Sequence, residues 1–125
     1  MKYDVSLLKV VNGRKYVIVK ATKDSGVELS ELHSTINGVL ADICGYHTVF
    51  ITGLECCSVK DVIELKEVLF DIYTIYNDIY FVLKSNRPLK AILTTNKYKP
   101  LLVLLDAIED CTETTKFKQN FKWVV

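Results

Sequence analysis

Glycine is scarce in this chain, five among 125 residues. None falls into a G-x-G-x-x-G, G-x-x-x-x-G-K or G-x-S-x-G pattern. The loops that cradle nucleotide phosphates on backbone N–H groups are therefore missing. So is the strand-to-helix elbow that presents a nucleophilic serine. A charge bias is missing too: 16 basic residues stand against 15 acidic ones, for a net charge of +1. A general nucleic-acid binder carries a basic excess or stripe, so no nucleic-acid partner is expected. No apolar run reaches the ~18 residues that cross a bilayer, and the longest candidate, PLLVLLDAI, is interrupted by Asp106. No membrane partner is expected either.

Cysteine is present but unpatterned. Cys44, Cys56, Cys57 and Cys111 form no C-x-x-C pair, and with His33 and His47 they match no zinc-ligand spacing. No metal and no cofactor is expected. The opening MKYDVSLLKVV lacks the basic region and long apolar run of a signal peptide, so the expectation is a cytoplasmic chain with reduced thiols.

What is present is a core. Half of the residues are hydrophobic, and the length suits one domain spanning 1–125. KYDVSLLKVV (2–11) and KYVIVKA (15–21) flank Asn12-Gly13, the strongest short hairpin signal, because both turn residues tolerate positive φ. After the loop TKDSGVE, Leu29, Leu32, Ile36, Val39, Leu40 and Ile43 recur at helical spacing, with Gly45 as the stop. HTVFITGL (47–54) is a β-branched run suited to a strand buried on both faces. A second helix follows over about 59–77, with Val62, Leu65, Leu69, Ile72 and Tyr76 as its stripe. IYFVLKS (79–85) predicts another strand, Pro88 opens a third helix, LLVLL (101–105) predicts a last strand, and 106–117 a closing helix capped by Asp106. The tail 118–125 is unassigned, with aromatics suited to docking on the body. This order predicts an α/β fold. An N-terminal β-hairpin leads into a mainly parallel sheet of four to five strands, packed by about four helices.

The segments YDVSLLKVVNGRKYVIVKATKDSG, HTVFITGL and YFVLKSNRPLKAILTTNKYKPLLVLLDAIEDC carry a resemblance. Over about residues 3–113 the chain resembles a STAS domain, the module shared by sulphate transporters and anti-sigma factor antagonists. The resemblance implies a regulatory, non-catalytic protein–protein interaction module whose partner is an anti-sigma-type kinase or a larger regulatory complex. It also implies a phosphorylated serine where the second helix begins. The family usually has Asp-Ser-Ser/Ala-Gly there, and this chain has Ser58-Val59-Lys60-Asp61. Ser58 matches the aspartate and Val59 the acceptor, and valine carries no hydroxyl. The acceptor role passes to Ser58 only with a one-residue slip. A constitutive scaffold or a homodimer without a switch fits as well.

The candidate site residues cluster at that strand-to-helix corner. Ser58, with Asp61 three residues on, reads as a helix cap. Its rival reading is a phosphoacceptor whose added charge would expel a partner. Glu55, Lys60, Asp61, Glu64, Glu67 and Asp71 are the expected partner-binding residues on the corner and the exposed face of the second helix. Cys56 and Cys57 are the candidate reactive thiols of a redox sensor or small enzyme. Either would need His47 or His33 as its base. The acidic residues of 106–113 read as a solvated face or a partner patch, and Tyr73, Tyr76 and Tyr80 as the edge of the core.

Overall fold

Asn12 and Gly13 both take positive φ, 51° and 76°, and this tight turn folds β1 (Lys2–Val11) back on β2 (Arg14–Thr22). The ladder runs from Val11↔Arg14 to Lys2↔Thr22, with one irregularity between Leu7 and Lys9 that leaves Leu8 as an extra residue. Thr22 then ties its own loop: its hydroxyl donates to the Ser25 carbonyl (2.6 Å) and accepts from the Ser25 N–H (3.0 Å). The two-residue strand β3 (Val27–Glu28) pairs antiparallel with Lys2 and Tyr3 of β1.

The computed structural model describes residues 1–41, 47–76, 78–84 and 120–124. Beyond β3 the chain forms α1 (Leu29–Leu40), β4 (His47–Thr52), a 3₁₀ turn at Leu54–Cys56, α2 (Val59–Ile75), β5 (Ile79–Lys84) and β6 (Phe121–Val124). The strands make one sheet in the order β3-β1-β2-β4-β5-β6. β2, β4, β5 and β6 are parallel to their neighbours in that series, whereas β1 is antiparallel to both β2 and β3. No helix among the described residues is long and apolar enough to cross a membrane.

Strand periodicity and register decide where the core sits. Val17, Val49 and Phe81 lie side by side across the sheet, and Val19, Ile51 and Leu83 form the next row. Both rows are buried in one cluster with Leu32, Ile36 and Leu40 of α1 and Val62, Leu65, Leu69 and Ile72 of α2. The two helices therefore cover the same face of the sheet. Each fully buried aliphatic side chain contributes about 1.5–3 kcal/mol relative to exposure.

The fold is α/β, as the alternation of elements predicts. The sheet, however, is mixed rather than mainly parallel, because β3 adds a second antiparallel pairing outside the hairpin. Among the described residues it has six strands, against four to five expected. Two α-helices are present among the described residues, against about four expected. The expected third helix, the strand at 101–105 and the closing helix at 106–117 lie outside the described residues. β4 is less enclosed than expected: Phe50 and Thr52 are only half-buried. α2 stops at Ile75, and Tyr76 already has extended geometry.

The unassigned tail holds the sheet's far edge. Phe121 stacks on Phe81 with ring centroids 4.8 Å apart, the Asn120 carbonyl accepts from the Phe81 N–H (2.8 Å), and the Asn120 side chain donates to the Ile79 carbonyl.

Candidate functional site

The corner after β4 is built from one glycine and one serine. Gly53 sits at φ 78°, and a Cβ there would run into the backbone carbonyl of Ala21 on β2. The left-handed residue lets the chain turn across the end of the sheet into the 3₁₀ turn, where the Cys56 N–H donates to the Gly53 carbonyl and the Cys57 N–H to the Leu54 carbonyl (both 3.0 Å). Leu54 is buried and anchors the turn.

Ser58 is the N-cap of α2 in a complete capping box. Its Oγ accepts from the Asp61 N–H (3.2 Å), and the Asp61 carboxylate accepts from the Ser58 N–H (3.2 Å). The Ser58 hydroxyl also donates to Asp61 Oδ2 (2.7 Å). Partial burial raises the Asp61 pKa, but these hydrogen bonds, with the nearby amino terminus and Lys60, outweigh it and hold the carboxyl below its ordinary value. The serine is exposed, yet its hydroxyl is committed in both directions. A phosphate on it would displace this box and sit beside the Asp61 carboxylate.

The adjacent thiols have opposite surroundings: Cys56 is exposed and Cys57 buried. Burial, then the charge of Asp61, pushes the Cys57 thiol up to about 11. It is hydrogen-bonded to the buried hydroxyl of Tyr3, whose pKa is also raised by burial. His47 is not placed to serve as the base. His47 opens β4 at the far end, roughly 16 Å away at 3.3 Å per strand residue. His33 lies on α1, where its Nδ1 meets the Asn37 side-chain amide (3.1 Å). Cys44 and Cys111 lie outside the described residues.

Three of the expected partner-binding residues come together. Glu64, Glu67 and Asp71 of α2 line an open groove of about 400 Å³, opposite Leu29, Ser30 and His33 of α1 and floored in part by Val68. The groove thus carries three carboxylates beside one imidazole. Among the described residues, no group of three or more His, Cys, Asp or Glu side chains is disposed to hold a metal ion. The other expected residues are not part of it. Lys60 is exposed at the corner, and Asp61 is occupied by the cap. Glu55 lines a different crevice of about 250 Å³ at the carboxyl ends of the strands, with Ile18, Lys20, Thr52, Gly53 and Lys84.

Sequence reasoning missed a buried polar pair at the amino end of β4. Lys15 and His47 are register neighbours, 3% and 2% exposed. Lys15 Nζ donates to the Val39 carbonyl at the end of α1 (2.6 Å). The His47 ring meets Tyr76 edge-on at 5.5 Å, and its Nδ1 is buried without a hydrogen-bond partner. Burial and the Lys15 charge lower the His47 pKa, against the opposing pull of Asp78. The signal available was parity: Lys15, Val17, Val19 and Ala21 alternate onto the buried face.

Comparison with protein families, with curated proteins and with solved structures matched this chain to none of them.

Proposed function

We propose that this chain is a non-catalytic protein-docking module of STAS-like build, and that it binds a basic segment of a partner protein along the groove between α1 and α2. The carrying observation is the gathering of Glu64, Glu67 and Asp71 on one wall of that groove. Carboxylates spaced along a helix steer and orient a lysine- or arginine-bearing segment. The apolar parts of Leu29 and Val68 give it surface to pack on. The hairpin, the parallel β2-β4-β5 series and the strand-to-helix corner with Ser58 are consistent with the STAS-like reading. That reading carries the finer expectation of an anti-sigma-type kinase or regulatory complex as partner. Cytoplasmic placement belongs to the same proposal.

A photo-cross-linker placed at Ser30, followed by mass spectrometry of the adduct, identifies the partner in source cells. The purified partner is then titrated against wild type and Glu67→Lys/Asp71→Lys. The double reversal is expected to weaken binding at least tenfold, with wild-type affinity falling as salt rises. Equal affinity for both forms, or salt-independent binding, overturns the groove as the site. Ser58→Glu in the same titration separates a phosphoswitch, which loses the partner, from a scaffold, which keeps it.

The exposure of Cys56 favours a second reading, a redox-sensing thiol. Peptide-mapped alkylation tests it. A sensing thiol reacts rapidly below pH 7, whereas a surface thiol without activation reacts only as pH approaches 8.5.

A further inference from the structure

The face of the sheet away from α1 and α2 gathers cations and aromatic rings. Both helices pack on the side of Val17, Val49 and Phe81, and the alternate residues of each strand point the other way. On that second face Tyr16, Ile18 and Lys20 of β2 lie level with Thr48, Phe50 and Thr52 of β4. Tyr80, Val82 and Lys84 of β5 continue the same rows, and Lys122 of β6 stands beside Val82. Lys9, Lys20, Tyr80, Lys84 and Lys122 are all exposed.

Charge is segregated between the two sides. Among the described residues, the strands present Lys2, Lys9, Arg14, Lys20, Lys84 and Lys122 on the second face, against Asp4 and Glu28 at its β1–β3 edge. The helices carry Glu31, Asp61, Glu64, Glu67 and Asp71 against Lys60 and Lys66. The net charge of +1 conceals this division, which a total cannot register.

Two hollows open on the basic face. The first, of about 530 Å³, is lined by Tyr16 and Phe50 with Leu8, Lys9 and Val11 of β1. The second is the crevice of about 250 Å³ at the carboxyl ends of the strands, where Lys20, Thr52 and Lys84 meet. Ile18 of the second hollow and Phe50 of the first are register partners, so the two adjoin. Strand spacing and rise set Tyr16 and Phe50 about 8 Å apart along a diagonal. The same spacing sets Lys20 and Lys84 about 10 Å apart across Thr52, within reach of one phosphate between them.

We infer that this face binds single-stranded nucleic acid, with bases stacked on Tyr16 and Phe50 and phosphates held by Lys20 and Lys84. A single strand combines regularly spaced anions with planar bases free to stack on aromatic side chains. An acidic peptide answers the lysines but brings no such planes. A membrane surface also attracts lysines, yet insertion needs protruding apolar groups, and Tyr16 and Phe50 are half-buried in the lining of a hollow. The Arg14 guanidinium lies 5.6 Å from the centre of the Tyr80 ring and extends the pairing of cation and ring along the face. Glu55 borders the crevice and Asp4 stands opposite Lys20, so the phosphate hollow keeps a modest positive excess. This surface lies across the sheet from the α1–α2 groove, and the inference does not rest on the docking reading.

Fluorescence anisotropy of the full chain with a labelled oligothymidylate of about 12 nucleotides tests it. Wild type is expected to bind, with affinity falling as salt rises, because bound phosphates release their counterions. Lys20→Glu/Lys84→Glu, at two exposed positions, is expected to weaken binding at least tenfold and to flatten the salt dependence. Phe50→Leu keeps the charge and removes the ring. It is expected to weaken binding about tenfold with the salt dependence unchanged, and Tyr16→Leu gives a second reading of the same loss. Polyglutamate, a duplex of the same length and phosphatidylserine vesicles should each compete at least tenfold less well than unlabelled oligothymidylate. A wild type that fails to bind at low salt overturns the proposal. So does full affinity in the lysine double variant, full affinity in both ring variants, or any one competitor that matches the single strand.

Discussion

The two ends of β4 handle polar groups in opposite ways. At the carboxyl end, Ser58 and Asp61 sit near the surface with their hydrogen bonds reciprocated within four residues of chain. At the amino end, Lys15 and His47 are sealed in the core, and one ring nitrogen of His47 is left without a partner. A local box is cheap because the helix presents its free N–H groups in any case. A buried imidazole beside an ammonium is costly, since burial and like charge both oppose protonation. The difference teaches that the corner is a satisfied structural joint, while the opposite end stores a pH-dependent liability.

The largest expected break of this contrast is at the corner's backbone. Gly53→Val combines a left-handed φ with a collision against the Ala21 carbonyl. It should destabilise the fold by about 3 kcal/mol or more in urea unfolding. An unchanged midpoint would show that the corner relaxes freely.

The second test sharpens the amino end. The folded-state pKa of His47 is lowered, so between that value and about 6.5 the unfolded chain binds a proton that the folded chain refuses. Stability from this residue is fully present above about pH 6.5 and is lost as pH falls through that window. Urea midpoints measured from pH 8 to pH 5 should therefore fall for wild type and fall less for His47→Phe. Parallel curves would remove His47 as the source.

The smallest expected effect is the cap itself. Ser58→Ala should cost about 1 kcal/mol, and Ser58→Asp, which keeps an acceptor, should recover most of it. The Asp61 contribution has the same pH sense as that of His47, at lower pH. Its lowered carboxyl stabilises above the unfolded value of about 3.9 and is lost as pH falls through the folded one. Ser58→Ala should flatten that acid limb. If alanine and wild type melt together at neutral pH, the box contributes nothing measurable.

The legible parts of this molecule are those whose cause lies within one turn or one period. Asn12-Gly13 announced the hairpin, the Leu32–Ile36–Leu40 and Val62–Leu65–Leu69–Ile72 spacings announced the buried helix faces, and Ser58 with Asp61 announced the cap. The candidate docking residues were legible only singly. Glu64, Glu67 and Asp71 were expected on one helix face, but that they share a groove with Ser30 and His33 depends on how α1 lies beside α2. Glu55, in the turn at the corner, and Lys60, in the first turn of α2, lie outside the groove. Neither the short strand β3 nor the tail strand β6 has a period long enough to read.

By itself, the sequence determined the alternation of strands and helices, the tight turn, the capped second helix and the lack of charge bias, glycine-rich phosphate loops and spaced metal ligands. These follow from backbone sterics, local hydrogen bonding and composition, which act between near neighbours. Tertiary structure alone decided that β3 and β6 complete a mixed sheet, that Cys57 is buried against Tyr3 while Cys56 is exposed, and that Lys15 meets His47 in the core. Among the described residues, it also left the outer edge of β1 beyond Asp4 without a partner strand. Those outcomes depend on which strands lie side by side and in what register, and register is set by the burial of whole faces.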